Sequence, residues 1–200
     1  PNIPVLALTA SATPKVQKDI CDKLKMSNYC HFQTGIERDN LYYVVRKTKD
    51  KDAELYKILL AVNGSSIVYT RTRQQAEQLS AILQKMGLSA NFYHAGLDAF
   101  ERTKRQTQWM EGKTQILCST NAFGMGIDKP DVRIVVHYDI PDALEQYYQE
   151  AGRAGRDGKK SYAVLLVTES SLERLLHRHE QVFPPKEYVR NVYQQLANFF

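Results

Sequence analysis

The chain has 200 residues, 43% of them hydrophobic and 24% charged, which predicts an ordinary globular protein with one sizeable core. No apolar run in this sequence approaches the roughly 20 residues of a membrane-spanning helix. The net charge of +5 favours an anionic partner, although proteins that bind no nucleic acid often carry such a charge. Because Pro1 stands where an initiator methionine would be, we expect the chain to be a piece of a longer protein.

The three cysteines, Cys21, Cys30 and Cys118, are far apart in the sequence and form no CxxC or CxH pair. This spacing indicates neither a disulfide framework nor a zinc site. We therefore expect no metal ligands in this chain and a reducing, intracellular environment.

Short runs rich in β-branched residues alternate with helical patterns. The predicted strands are residues 5–8, 41–45, 66–69, 90–94, 115–118, 134–137 and 163–167. The predicted helices between them include residues 52–61, 73–86, 99–111 and 143–151. This alternation predicts an α/β fold, with a mostly parallel sheet and helices on both faces. Ligands of such sheets bind at the carboxyl ends of the strands, where several polar residues of this chain follow directly.

A polar segment, residues 34–40, interrupts the alternation and predicts a linker. It separates a strand–helix remnant, residues 1–33, from a complete domain that spans residues 41–182. In the tail, residues 183–200, a double proline ends one helix before apolar side chains recur with helical spacing. These side chains are Tyr188, Val192, Leu196 and Phe199. They are expected to pack on this domain or on a neighbouring one; the alternative is an aromatic platform for nucleic acid.

Residues 147–158 read YYQEAGRAGRDG and place Arg153 and Arg156 among glycines. Glycines allow backbone or phosphate to come close, and a planar guanidinium group matches phosphate oxygens two at a time. The pattern therefore indicates a polyphosphate ligand. For an isolated motif this short, a glycine-rich turn with solvated arginines is the alternative.

Other motifs accompany this one in a fixed order: LALTASAT at residues 6–13, IVYTRTR at 67–73, YHAGL at 93–97 and TNAFGMGIDKPDVR at 120–133. Together they resemble motifs III to VI of the RecQ family of DNA helicases, within superfamily 2. The resemblance extends to about residue 168 and implies a RecA-like, three-layer fold. It also implies that residues 1–33 end a first motor domain, that residues 41–182 form the second, and that the protein acts in a bacterial nucleoid or a nucleus.

The resemblance implies a catalytic role for three residues. Arg156 corresponds to the arginine finger, which stabilises the charge that develops during ATP hydrolysis. Arg153 corresponds to a second phosphate or coupling contact; an interdomain salt bridge is the alternative. Gln149 is implied to face the γ-phosphate.

For the nucleotide, the resemblance implies that Gly124 and Gly126 allow close backbone approach and that Asp128 accepts hydrogen bonds from ribose hydroxyls. An Asx turn before Lys129 and Pro130 is the alternative role for Asp128. In the first motif, Thr9, Ser11 and Thr13 are implied to couple the nucleotide state to the facing domain. Thr13 is also predicted to cap a helix that begins at Pro14.

The resemblance further implies a surface that contacts nucleic-acid phosphates without reading sequence. Its residues are Thr70, Arg71, Arg73, His94 and Thr120. Thr70 or Thr72 could instead cap the following helix, and Arg71 could instead be merely solvated.

The chain contains no GxxxxGK[ST] phosphate loop and no acidic metal-holding motif. We therefore expect half of an ATP site, inactive as an ATPase alone, with ATP and Mg²⁺ bound mainly by the upstream motor domain. The complete protein is expected to be an ATP-dependent helicase that moves 3′ to 5′ on single-stranded or partly duplex DNA. The alternatives are the motor domain of a superfamily 2 RNA helicase and a non-catalytic nucleic-acid-binding module.

Overall fold

A computed structural model describes residues 3–9, 12–33, 37–124 and 127–199. Its strands are β1 (Leu41–Lys47), β2 (Ser65–Tyr69), β3 (Ala90–Tyr93), β4 (Ile116–Ser119), β5 (Val132–His137) and β6 (Ser161–Val167). Within these ranges they form one sheet in the order β1-β6-β5-β2-β4-β3. Every neighbouring pair is parallel.

The helices are α1 (Pro14–Lys23), α2 (Lys51–Ala61), α3 (Arg73–Lys85), α4 (Ala99–Met110), α5 (Leu144–Ala151), α6 (Glu169–Val182) and α7 (Lys186–Ala197). At the starts of α1 to α4, a side chain accepts a hydrogen bond from a first-turn amide, which fixes where these helices begin. Thr72 accepts from the Gln75 amide at 3.1 Å, and Thr13 from the Val16 amide at 3.4 Å. The predicted capping role of Thr13 is therefore confirmed, and Thr72 rather than Thr70 caps α3.

The sheet buries a different set of side chains on each face, because successive residues of a strand point to opposite sides. On one face, Val68 of β2 packs in a cluster with Leu55 of α2 and Leu79 of α3. On the other face, Ile67 packs in a cluster with Trp109 of α4 and Ala151 of α5. Helices thus cover both faces, and the predicted RecA-like three-layer architecture is confirmed.

The predicted strand at residues 5–8 is wrong. Residues 3–9 have no regular secondary structure, and the side chains of Val5, Leu6 and Leu8 are 52%, 81% and 84% exposed. A strand needs the amide and carbonyl groups of a neighbouring strand, and β1 to β6 make all their ladder pairs with one another.

The double proline separates α6 from α7, and α7 is the helix of the tail. Helix α7 buries none of its described residues, and Tyr188 and Leu196 are 61% and 56% exposed. No helix in the described ranges is long and apolar enough to cross a membrane.

The direction of the chain creates two edges with different residues. Each helix between parallel strands runs back across the sheet, so residues that follow strands lie at the carboxyl edge and residues that follow helices lie at the amino edge. The loop after α5 therefore lies at the amino edge, where the Gly155 amide donates to the Val132 carbonyl at 2.8 Å. The connection from β4 to β5 must also cross between the edges, and its described residues, 120–124 and 127–131, contain no helix.

Candidate nucleotide and nucleic-acid sites

The two motif arginines converge on the segment that links β4 to β5. We call residues 152–158 the arginine loop. Arg156 Nη1 donates to the Ile127 carbonyl at 3.0 Å and to Asp128 Oδ1 at 2.8 Å. Arg153 Nη1 donates to the Gly124 carbonyl at 2.6 Å. The candidate catalytic residues and the candidate nucleotide-binding residues are therefore adjacent in space.

The two arginines differ in their access to solvent. The side chains of Arg156 and Asp128 are 37% and 81% exposed, so their ion pair faces outward. Arg153 is half-buried, and its Nε atom is buried without a partner among the described residues. A buried guanidinium nitrogen that lacks an acceptor can bind a further anionic oxygen.

Gly124 permits this arrangement because it has no side chain. A Cβ atom at this position would lie 2.9 Å from Cζ of Arg153, closer than side chains tolerate. Any other residue would displace the guanidinium group. Gly126 and Ser11, two further candidates, lie outside the described residues. Gln149 is exposed on α5.

A buried histidine–glutamate pair connects α5 to the sheet. His137 Nε2, at the end of β5, lies 2.9 Å from Glu150 Oε2, and both side chains are less than 10% exposed. The other Glu150 oxygen accepts from Gln146 Nε2 at 3.0 Å. The His137 ring also stacks on Tyr69, whose hydroxyl donates to the Phe123 carbonyl at 3.0 Å. This pair holds the helix that leads into the arginine loop.

The segment before β1 contacts the arginine loop from the other side. Arg38 donates to the carbonyls of Gly152, at 3.0 Å, and Gly155. Asn40 donates to the carbonyls of Gly155 and Lys159 at 2.7 and 2.9 Å. Residues 37–40 belong to the predicted linker, and two of them, Arg38 and Asn40, are hydrogen-bonded to the backbone of residues 152–159.

At the carboxyl edge, three candidates for nucleic-acid binding have buried side chains. Thr70, His94 and Thr120 are only 5%, 4% and 7% exposed. His94 Nε2 lies 2.7 Å from Glu77 Oε1, while its Nδ1 atom is buried without a partner among the described residues. Thr120 Oγ1 accepts from the Ala122 amide at 3.4 Å. The side chains of these three residues are therefore packed at the ends of the strands and expose little surface to solvent.

A carboxylate holds the guanidinium group of Arg71, and its contact with a nucleic-acid phosphate stays a prediction. Its Nη1 and Nη2 atoms donate to Asp142 at 3.1 and 2.7 Å, and Nη2 also donates to the Ile140 carbonyl at 3.1 Å. The hydrogen bond from Arg71 lowers the pKa of Asp142, and the nearby charge of Arg178 lowers it further. Sequence reasoning could not predict this pair, because Arg71 and Asp142 are 71 positions apart.

Beside Arg71 lies a basic groove between the start of α3 and α6, with a volume of about 340 Å³. Its charged lining residues are Lys51, Arg71, Asp139, Arg174 and Arg178. Burial lowers the pKa of Lys51, while the neighbouring Asp139 raises it in part. Arg73, the remaining cationic candidate, is exposed at the start of α3 and lies against Gly96. The groove adds positive charge next to the candidate phosphate-contacting residues.

The structure therefore separates the candidates into two groups. The arginine loop and Asp128 lie toward the amino edge, and Thr70 to Arg73, His94 and Thr120 lie at the carboxyl edge. The expectation that ligands bind at the carboxyl ends does not describe the arginine loop, because this loop follows a helix. Thr9 and Thr13 are exposed and lie in neither group of contacts described above.

Sequence reasoning missed Arg38, Asn40 and the His137–Glu150 pair. The residues that Arg38 and Asn40 contact are more than 100 positions away in the sequence. His137 and Glu150 are 13 positions apart, on β5 and α5. The one available signal was a polar residue at the end of an apolar strand, which is the position of His137 in VRIVVH.

We predict that Arg71→Ala raises the pKa of Asp142 toward the ordinary carboxyl value, because its principal hydrogen-bond donor is lost. A carboxyl group with a lowered pKa adds stability above its unfolded pKa and loses it as the pH falls through its folded pKa. The stability difference between wild type and variant should therefore be present at neutral pH and shrink in acid.

Carbon-detected NMR titration measures this pKa. Asp157 is the internal control, because its lowered pKa depends first on Arg133 and should not change in the variant. An unchanged Asp142 titration in Arg71→Ala would contradict the pairing.

Comparison with known proteins supports this architecture. Residues 50–158 match the family described as helicase conserved C-terminal domain. The chain is 44% identical over 184 residues to the RecQ-like DNA helicase blm-1 of Caenorhabditis elegans, covering 90% of this chain and 19% of that protein. It is 39% identical over 200 residues to the ATP-dependent DNA helicase Q-like 2 of Arabidopsis thaliana, covering 96% of this chain and 28% of that protein.

A solved structure, S. cerevisiae Dbp5 bound to RNA and ADP BeF3, shares the fold with a TM-score of 0.68 at 26% identity. The match covers 88% of this chain and 48% of that one. The chain spans less than a third of the length of the Caenorhabditis elegans and Arabidopsis thaliana relatives. It belongs to the helicase conserved C-terminal domain family, as the C-terminal helicase domain of a RecQ-like protein of superfamily 2.

Proposed function

We propose that this domain supplies the arginine finger of an ATP-dependent, RecQ-like DNA helicase that moves 3′ to 5′. The observation that supports this most is the convergence of Arg153 and Arg156 on residues 124–128, beside the exposed carboxylate of Asp128. In this proposal Arg156 is the finger, Arg153 a second phosphate contact, and Gln149 a polar group near the γ-phosphate.

The residues present fit a nucleotide. Arg153 has a buried nitrogen without an acceptor, and Arg156 is accessible to solvent. Gly124 leaves room for the guanidinium group, and Asp128 offers carboxylate oxygens to ribose hydroxyls. ATP supplies the phosphoryl group that is transferred to water, and guanidinium groups stabilise the charge that spreads over its oxygens.

Asp128 and Arg156 form an ion pair in this structure, at 2.8 Å. For each to contact the nucleotide, the pair must loosen when ATP binds. Among the described residues, no three His, Cys, Asp or Glu side chains gather at one point. We propose that the phosphate-binding loop and the metal ligands come from an upstream motor domain, to which residues 1–33 belong. Residues 34–40 would then join it to the second domain, residues 41–182, and 183–200 would form a separate C-terminal helix.

A strand of DNA is proposed to bind at the carboxyl edge, with its phosphates along Arg73 and the basic groove. The preference for DNA rests on the RecQ-like relatives, whereas the Dbp5 structure contains RNA. Unwinding assays of the complete protein on matched DNA and RNA duplexes distinguish the two readings: faster unwinding of the RNA duplex would favour an RNA helicase.

In the complete protein, we predict that Arg156→Ala lowers the maximal ATPase rate by about 10³-fold or more while ATP affinity changes little, because a finger acts on charge that develops in the transition state. Arg156→Lys should rescue poorly, since an ammonium group lacks the fork geometry. Asp128→Ala should instead weaken nucleotide binding, with a smaller effect on turnover at saturation.

Nucleotide affinity and saturated turnover are to be measured side by side for each variant. Arg190→Ala, an exposed arginine of α7, is the matched control and should resemble wild type. Normal turnover by Arg156→Ala would transfer the catalytic role to Arg153.

We also predict that residues 1–200 bind single-stranded DNA weakly, with little base preference. The log of the affinity should fall against log salt with a slope of roughly −0.7 for each phosphate neutralised. Arg174→Ala should make this slope shallower by about 0.7, whereas Arg190→Ala should leave it unchanged. Fluorescence anisotropy at several salt concentrations tests this. A salt-independent affinity, or a slope insensitive to Arg174, would contradict the proposed groove.

A further inference from the structure

Two residues that precede β1 hold the backbone of the arginine loop. Arg38 and Asn40 lie just after residues 34–36, and both are half-buried. The Arg38 and Asn40 side chains donate four hydrogen bonds to residues 152–159, and all four acceptors are backbone carbonyl oxygens. Carbonyl acceptors are present whatever the neighbouring side chains are, so the contact fixes backbone geometry.

The positions of the accepted carbonyls are informative. Arg38 donates to the Gly152 carbonyl and to the Gly155 carbonyl. A peptide unit is planar, so a carbonyl oxygen lies in one rigid plane with the nitrogen and Cα of the next residue. The two planes that Arg38 holds are therefore those that lead directly into Arg153 and Arg156. One guanidinium group fixes the starting point of both candidate catalytic side chains.

Asn40 strengthens the second of these planes. Its Nδ2 group donates to the Gly155 carbonyl at 2.7 Å and to the Lys159 carbonyl at 2.9 Å. Its own carbonyl accepts from the Ser161 amide at 2.8 Å, where β6 begins. Asn40 therefore ties the loop to the edge of the sheet.

Gly155 has the conformation that this contact requires. Its φ is +63°, a left-handed value that glycine adopts without strain. A Cβ atom here would lie 2.6 Å from Asn40 Nδ2 and 2.6 Å from Ser161 Oγ. A side chain at this position would therefore displace Asn40 from the carbonyl that it holds.

We propose that Arg38 and Asn40 are positioning residues for the arginine pair, and that they make the geometry of the finger depend on the segment joining the two motor domains. This inference rests on the proposed function of Arg156.

The test uses the complete protein with both motor domains. We expect Arg38→Ala to lower the ATPase kcat by roughly 10- to 100-fold, because a misplacement of about 1 Å costs up to about 10²-fold, with little change in the KM for ATP. Arg38→Lys should rescue poorly, since one ammonium group cannot hold two carbonyls in a fixed fork. Asn40→Asp, which keeps the shape but loses the donor, should also lower kcat.

Hydrogen–deuterium exchange of residues 153–160 provides the second readout. Exchange of this peptide should rise in the three variants, while the peptides of β2 and β5 stay protected. Arg46→Ala is the matched control, since Arg46 is an exposed arginine of β1 whose side chain makes no hydrogen bond or ion pair with the other described residues. It should match wild type in both readouts.

The outcomes separate this inference from the proposed function. If Arg156→Ala lowers kcat but Arg38→Lys and Asn40→Asp retain wild-type kcat, the positioning role is overturned, even if exchange rises. If Arg156→Ala and Arg153→Ala both retain normal kcat, the proposed function fails and the positioning role fails with it. Should Arg38→Ala fail to fold, the two conservative variants decide the question.

Discussion

The direction in which a parallel sheet is connected governs where each functional residue of this domain lies. A helix between two parallel strands returns the chain to the amino edge, so residues after strands and residues after helices lie at opposite edges. Thr70 and Thr120 follow β2 and β4, whereas the arginine loop follows α5. The β4–β5 connection crosses between the two edges. In it, the Phe123 carbonyl accepts a hydrogen bond from the Tyr69 hydroxyl, and the Gly124 carbonyl accepts one from Arg153.

Local chemistry decided how much of the fold could be predicted. Strands β2 and β5 are buried runs that contain several β-branched residues, and the sequence pattern predicts their positions to within two residues. The helix starts also followed from capping residues such as Thr13. Residues 5–8 have the same apolar pattern, yet form no strand, because a strand exists only where another chain segment pairs with it. An apolar sequence pattern indicates that a segment favours a strand, but it does not show whether a second strand is there to pair with it.

The candidate site shows the same division. Two motifs predict Arg153 and Arg156 as catalytic residues and Gly124 and Asp128 as nucleotide-binding residues, and these residues are in contact in the structure. The motifs could not identify the side chains that form hydrogen bonds to these residues. The partner of Arg71 is a carboxylate in a distant loop, and the groups that fix the arginine loop precede β1. Such contacts depend on which strands are neighbours, and β1 meets β6 only in the folded sheet.

The central claim is that this domain contributes arginines to an ATP site that it does not complete. ATP turnover by purified residues 1–200, compared with that of the complete protein, tests this most directly. The account predicts background hydrolysis by residues 1–200 with or without single-stranded DNA, and DNA-stimulated hydrolysis by the complete protein. DNA-stimulated turnover by residues 1–200 alone, abolished by Arg156→Ala so that contamination is excluded, would contradict it.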